Sequence, residues 1–200
     1  MNETLKRALS GAVYVAVMWF GTSYSELSQA VLFSVITILS TYEMWKLRKG
    51  KKITFHFLYV WGLMFALFLG KDLLLFMFIL TWTFDTFAYL VGVKLGKTKI
   101  MPSVSPKKSW EGFAGGFVFT MLAAYLSHQY FNFNSFRDPL IISLFLPFTA
   151  TLGDFIESYF KRQAGVKDSG NFIPGHGGML DRMDAFMITI PVIYILTNLL

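Results

Sequence analysis

The residues best suited to chemistry lie near the C-terminal end of the sequence. Asp154, Glu157, Ser158 and Lys161 stand at i, i+3, i+4 and i+7, a polar stripe along one helix face. Asp181 and Asp184 are three residues apart, so their carboxylates share a face of the following helix. A single connection joins the two helices, so these polar ends can face each other. Carboxylates gathered in one place repel, and they either share protons or bind a cation. Asp154, Asp181 and Asp184 are therefore candidate metal ligands. An all-oxygen set suits Mg²⁺, Mn²⁺ or Ca²⁺. The chain has no cysteine and His176 is the only imidazole nearby, which does not make a zinc site.

The connection between the two acidic groups contains Gly165, Gly170, Gly175, Gly177 and Gly178, and is flanked by Lys161, Arg162, Lys167 and Arg182. Glycines let backbone N–H groups approach an anion closely. Together with the carboxylates they describe a phosphate and metal site, the combination that handles nucleoside triphosphates. A flexible basic loop resting on anionic lipid would carry the same cations. It would not carry the acids, which repel that lipid. Upstream, Ser105-Pro106-Lys107-Lys108 reads as a rigid turn delivering two cations. The Gly96-Lys97 pair lacks the spacing of a phosphate-binding P-loop. Gly112 and Gly116 form a GxxxG suited to helix packing.

These groups must be held by apolar helices. The chain has 200 residues, 54% hydrophobic and only 15% charged, with mean hydropathy +0.52. That composition excludes a disordered chain and points to a membrane protein. Seven apolar stretches run over roughly 8–24, 27–45, 54–70, 73–93, 113–130, 139–160 and 185–200. No alternating pattern argues for a barrel, so the expected fold is all-α: a polytopic bundle of about seven spans in one domain covering 1–200. Lys6 and Arg7 ahead of the first stretch resemble a signal peptide, but no small-residue cleavage site follows Phe20, so it is read as a retained helix. With a cytoplasmic N-terminus, 16 of the 18 basic residues fall in inside segments, among them Lys49, Lys51 and Lys52. Outside lie only Lys71 and Arg137, each followed by Asp. The net charge of +6 thus needs no nucleic-acid partner.

Charge inside a span costs about 2.5–3.5 kcal/mol on insertion scales. Asp85, Asp154 and Glu157 bear that cost. Glu43, near the end of the second stretch, is read as a structural ion pair or an interfacial, snorkelling group. His56 and His128 are read as interfacial.

Ser158-Tyr159-Phe160-Lys161-Arg162, then Lys167-Asp168-Ser169-Gly170, then Phe172-Ile173-Pro174-Gly175-His176-Gly177-Gly178-Met179-Leu180-Asp181-Arg182-Met183-Asp184 resembles the long signature of the phosphatidate cytidylyltransferases, or CDP-diacylglycerol synthases. Every fixed position is filled across these 27 residues. Two further blocks resemble the same family: Asp85-Thr86-Phe87-Ala88-Tyr89 with Gly92, Gly96 and Lys97, and Ser105-Pro106-Lys107-Lys108 with Trp110, Glu111 and Gly112. The family-like core covers about 81–184, and Ser10-Gly11 after Arg7 is also similar. Phe87 departs from the pattern, standing where the family usually has Gly, and the chain is short for the family.

The resemblance implies that CTP and phosphatidate give CDP-diacylglycerol and pyrophosphate, with Mg²⁺ and a second cation. It implies catalytic roles for Asp154, Asp181, Asp184, Lys161 and Arg182, the three aspartates as metal ligands. Substrate-binding roles follow for Arg162, Lys167, Asp168, His176, Gly177, Gly178, Ser105, Lys107, Lys108 and Asp85, with Asp85 ranked lower as a pocket residue. Lys107 and Lys108 could hold either substrate's phosphate. An enzyme for another lipid phosphate, such as an ether lipid, carries the same pattern. A small transporter should carry charge through several spans, whereas here charge gathers at one face. Minimal loops and the excess of Lys over Arg suggest a bacterial plasma (inner) membrane, with membrane lipids as surroundings. The GxxxG is compatible with a homodimer.

Overall fold

Helices account for most of the computed structural model, which describes residues 3–48, 54–131, 133 and 137–199. Lys49, Lys51 and Lys52 lie outside the described residues. The helices are α1 (Glu3–Ser23), α2 (Glu26–Leu47), α3 (Thr54–Trp61), α4 (Lys71–Leu95), α5 (Trp110–Ser127), α6 (Arg137–Ala164) and α7 (Leu180–Leu199). Each falls on one of the seven apolar stretches. Among the described residues, α2, α4 and α6 are long and apolar enough to cross a membrane. Phe20, Leu27, Trp82 and Val118 stand exposed on the outside of the bundle. Apolar surface on that scale is a feature of chains that meet lipid or a partner, and with the three long helices it marks a membrane protein.

The fold is all-α as expected, with one short strand pair in a connection. The 94–112 connection folds as an antiparallel hairpin, β1 (Lys99–Met101) with β2 (Ser105–Ser109), in the register Lys99↔Ser109 and Met101↔Ser105 with an irregularity between. Ser105 to Lys108 therefore lie in a strand, and the turn precedes them. Pro106 is tolerated because every strand of a two-stranded ribbon is an edge, where a missing N–H need not break a ladder.

Sequence pattern explains the local ends. Ser25 and Ser28 cap α2 reciprocally, each backbone N–H donating to the other's hydroxyl at 2.9 and 3.0 Å. The third apolar stretch begins as α3 and tightens to a 3₁₀ turn over Gly62–Phe68. Buried Gln29 of α2 donates to the Ala66 and Leu69 carbonyls at the end of that turn, 2.7 and 2.9 Å away. Carbonyls left over where a helix stops in an apolar interior need such a donor.

Two helix pairs carry the site, α4 with α5 and α6 with α7. Small residues set both spacings. At Gly112 a methyl group would lie 2.6 Å from the Ala88 carbonyl oxygen, and at Gly116 2.9 Å from that of Phe84. The GxxxG is thus used within the chain, packing α5 on α4, and supplies no reason for a dimer. Phe87, in place of the family's usual glycine, stacks on Phe119 of α5 with ring centroids 3.7 Å apart.

At Gly153 of α6 a methyl group would overlap the Asp184 carbonyl of α7. The Tyr59 hydroxyl bridges the same point, 2.8 Å from the Gly153 carbonyl oxygen and 3.1 Å from that of Asp184. We expect Gly153→Ala to destabilise the protein by about 1–3 kcal/mol, the usual cost of overpacking. Thermal unfolding in detergent measures this; an unchanged midpoint would mean that α6 and α7 can part without loss.

Candidate active site

The hairpin and the α6–α7 pair converge on one cavity of about 640 Å³. Its polar wall is Asp85 from α4, Lys99, Lys107 and Lys108 from the hairpin, Asp154 from α6, and Asp181 and Asp184 from α7. Its apolar wall includes Phe84, Tyr89, Val93 and Phe113. The hairpin is aimed by its flanks. Ser109 caps α5 by accepting the Gly112 N–H at 3.2 Å. Glu111 accepts the backbone N–H groups of Lys97 and Thr98 at 3.1 Å. Its own backbone N–H, with those of Thr98 and Lys97, outweighs desolvation and holds its carboxyl below the usual carboxylate range.

Asp154, Glu157 and Asp184 each present a carboxylate oxygen to a common point, all within 4.8 Å of one another. Spacing explains it: Asp154 and Glu157 are i, i+3 on α6, and the Gly153 contact draws α7 close enough to add Asp184. Ser158 donates to Asp154 at 3.0 Å, and the Lys108 ammonium pairs with the same carboxylate. Glu157 is fully buried. Its ion-pair partner is the Lys161 ammonium, which touches Oε2. Three carboxylates meeting at one point, one of them fully buried, fit a hard divalent cation held by oxygen.

Asp181 is placed differently from the other two aspartates assigned from sequence. It lines the cavity, but both oxygens already have partners. Oδ1 accepts from Lys161 Nζ at 2.7 Å. Oδ2 accepts from the backbone N–H groups of Ser169 and Gly178 at 2.9 and 2.8 Å, with the Ser169 hydroxyl 3.0 Å away. Glu157, which the sequence reading did not name as a candidate metal ligand, joins Asp154 and Asp184 in this group of three. Its position on the stripe, three residues after Asp154, was the available signal. Lys99 was likewise passed over, since only the folding of the hairpin brings it to the cavity.

The remaining sequence candidates are not among the residues that line the cavity. Arg162, Lys167, Asp168 and Arg182 are exposed. Arg162 donates to the Val166 carbonyl at 3.0 Å and Arg182 Nε to the His176 carbonyl at 3.0 Å. Gly175 and Gly177 have φ of 78° and 85°, a conformation that favours glycine, and they form a tight turn closed by an Ile173–Gly177 bridge. His176 Nδ1 lies 3.0 Å from the Ser10 hydroxyl of α1, which also donates to the Pro174 carbonyl at 2.7 Å. The similar-looking Ser10-Gly11 pair is where α1 seats the glycine turn. Ser105, at the start of β2, does not line the cavity. His56 is not free at an interface but stacks on Phe160, ring centroids 4.0 Å apart.

A profile of the cytidylyltransferase family matches residues 67–200. The chain belongs to that family. The match takes in every residue of the cavity, the hairpin and the acidic cluster. Among curated relatives, the phosphatidate cytidylyltransferase of Staphylococcus saprophyticus is 44% identical over 128 residues, 64% of this chain and 49% of its own length. That of Thermotoga maritima is 45% identical over 126 residues, 60% of this chain and 47% of its own. That of Staphylococcus aureus strain COL is 46% identical over 129 residues, 64% of this chain and 49% of its own. The chain spans about half the length of these curated relatives.

Proposed function

We propose that this chain is a CTP-dependent cytidylyltransferase acting on phosphatidate, releasing pyrophosphate and forming CDP-diacylglycerol. The observation that carries the reading is a cavity lined both by three lysines of the hairpin and by acids of α6 and α7. A phosphate oxygen of the lipid attacks the α-phosphorus of CTP; the bond from that phosphorus to the bridging oxygen breaks, and pyrophosphate leaves with the electron pair. The nucleophile is the lipid's own phosphate, so the protein contributes position and charge.

Asp154, Glu157 and Asp184 are the residues proposed to hold Mg²⁺; Asp181, its oxygens already bonded, stands beside them on the same wall. When bound, such a cation neutralises the phosphate oxygens and the charge that builds on the leaving group. Lys99, Lys107 and Lys108 bind the phosphates from the opposite wall. The pairing of Lys108 with Asp154 holds that ammonium in the cavity until a phosphate takes it over. Asp85 faces the same space from α4. Arg162, Lys167, Arg182 and the turn around His176 attract anions at the mouth, and Asp168 and Ser105 orient the segments that bear them.

The apolar wall at Tyr89 and Val93 gives acyl chains a lipid-like contact while the headgroup reaches the carboxylates. The chain is read as crossing a bacterial plasma membrane seven times, N-terminus inside, with the cavity at the cytoplasmic face.

The test is pyrophosphate release by the purified chain with CTP, phosphatidate and Mg²⁺, then with each omitted in turn. Release should require all three. Release with an ether-linked lipid phosphate but not with phosphatidate would replace the substrate, and none with either would overturn the reading.

A further inference from the structure

Glu43 lies on α2, outside the segment that the family profile matches. The sequence suggested an ion pair or an interfacial group. The structure shows neither. Glu43 is only 6% exposed and accepts hydrogen bonds from groups on the α6–α7 connection and the start of α7. Met179 N–H donates to Oε1 at 3.1 Å and Leu180 N–H to Oε2 at 2.8 Å. The Ser169 hydroxyl lies 2.9 Å from Oε2. The connection wraps this carboxylate closely: at Gly170 a methyl group would stand 2.6 Å from Oε1, and at Gly178 it would overlap Oε2.

The same Ser169 hydroxyl is 3.0 Å from Asp181 Oδ2. Ser169 and Gly178 therefore stand between two carboxylates, one on α2 and one in the cavity. Gly178 donates its N–H to Asp181, while the next two N–H groups along the chain go to Glu43. Glu43 thus satisfies the N–H groups of Met179 and Leu180 where α7 begins, as an N-cap would, but from a different helix. It also fixes the segment that holds Asp181 against Lys161.

We infer that Glu43 is a positioning residue for the active site: it anchors the 169–180 segment to α2 and thereby sets where Asp181 and Asp184 stand in the cavity. The inference rests on the proposed cytidylyltransferase reading for its kinetic arm, and on geometry alone for its second arm. Outer partners of metal-binding side chains typically contribute 10–100-fold to affinity or activity.

The experiment uses the full chain in detergent with Glu43→Gln, which keeps the size but replaces one accepting oxygen with a donor, and with Ser169→Ala, which removes the shared hydroxyl. Glu43→Gln should lower kcat by about 10–100-fold with KM for CTP changed by less than about threefold. Ser169→Ala should move the same parameter in the same direction. Hydrogen exchange supplies the arm independent of activity: amides at 178–181 should exchange faster in Glu43→Gln, while those of α4 and α5 keep their protection. Unchanged exchange at 178–181 would overturn the inference, as would loss of protection throughout the bundle, which would make Glu43 a general fold residue. If the unmodified chain releases no pyrophosphate, the functional reading fails, and the exchange arm still decides whether Glu43 anchors the segment.

Discussion

Asp184→Asn should lower CTP-dependent pyrophosphate release by at least about 100-fold while the protein inserts and unfolds as before. Asp184 is the one carboxylate that α7 adds to Asp154 and Glu157. Its position is fixed through its backbone: the carbonyl faces Gly153 and is met by Tyr59, and its Oδ1 accepts the Ala185 N–H at 2.8 Å. An amide keeps shape and volume but removes the charge that would hold a cation between the two helices. Steady-state turnover with Mg²⁺ and with Mn²⁺ measures the effect. Binding of Mn²⁺, followed by its paramagnetic signal, should weaken in parallel. Wild-type turnover in Asp184→Asn would sink the assignment of this cluster as a cation site.

The largest loss of stability is expected from Lys161→Met. Lys161 is the counter-charge for Glu157 and also donates to Asp181. The side chains of Lys161, Glu157 and Asp181 are 11%, 0% and 6% exposed, so water screens this group little. Removing one partner of a buried ionic group leaves the others uncompensated, at a cost of about 3–5 kcal/mol. The thermal midpoint in detergent should fall accordingly, and activity with it. Adding Glu157→Gln to Lys161→Met should restore part of the stability, because a neutral amide needs no counter-charge. Two losses that simply add would show that Lys161 and Glu157 act independently.

A good part of this molecule was legible in its sequence. Hydropathy placed all seven helices, because an apolar run long enough to be buried in lipid or protein has few alternatives to a helix. The ends were less legible. Apolar pattern stopped the sixth stretch at residue 160 and began the seventh at 185, yet α6 runs to Ala164 and α7 starts at Leu180. Lys161, Asp181 and Asp184 are polar residues on helices, turned toward the site rather than toward solvent, so their helical spacing places them on α6 and α7 where hydropathy alone stops short. The hairpin was missed for a related reason. Ser105 to Ser109 is polar and contains proline, and it becomes a strand only because Lys99 to Met101 lies beside it.

The class of the protein and its family were legible in the residues of the chain alone. Those depend on residue types and short spacings: the i, i+3 carboxylates, the glycine turn and the paired lysines. Which of those residues meet depends on packing between distant segments. It brought Glu157 rather than Asp181 into the group of three carboxylates, because Gly153 lets α7 approach α6 at that level and because Ser169, Gly178 and Lys161 already occupy Asp181. It turned Glu43 from an expected ion pair into an anchor for α7, across more than 130 residues of chain. Contacts between distant segments depend on how closely two backbones can approach, and a single missing Cβ sets that distance. No local pattern encodes it.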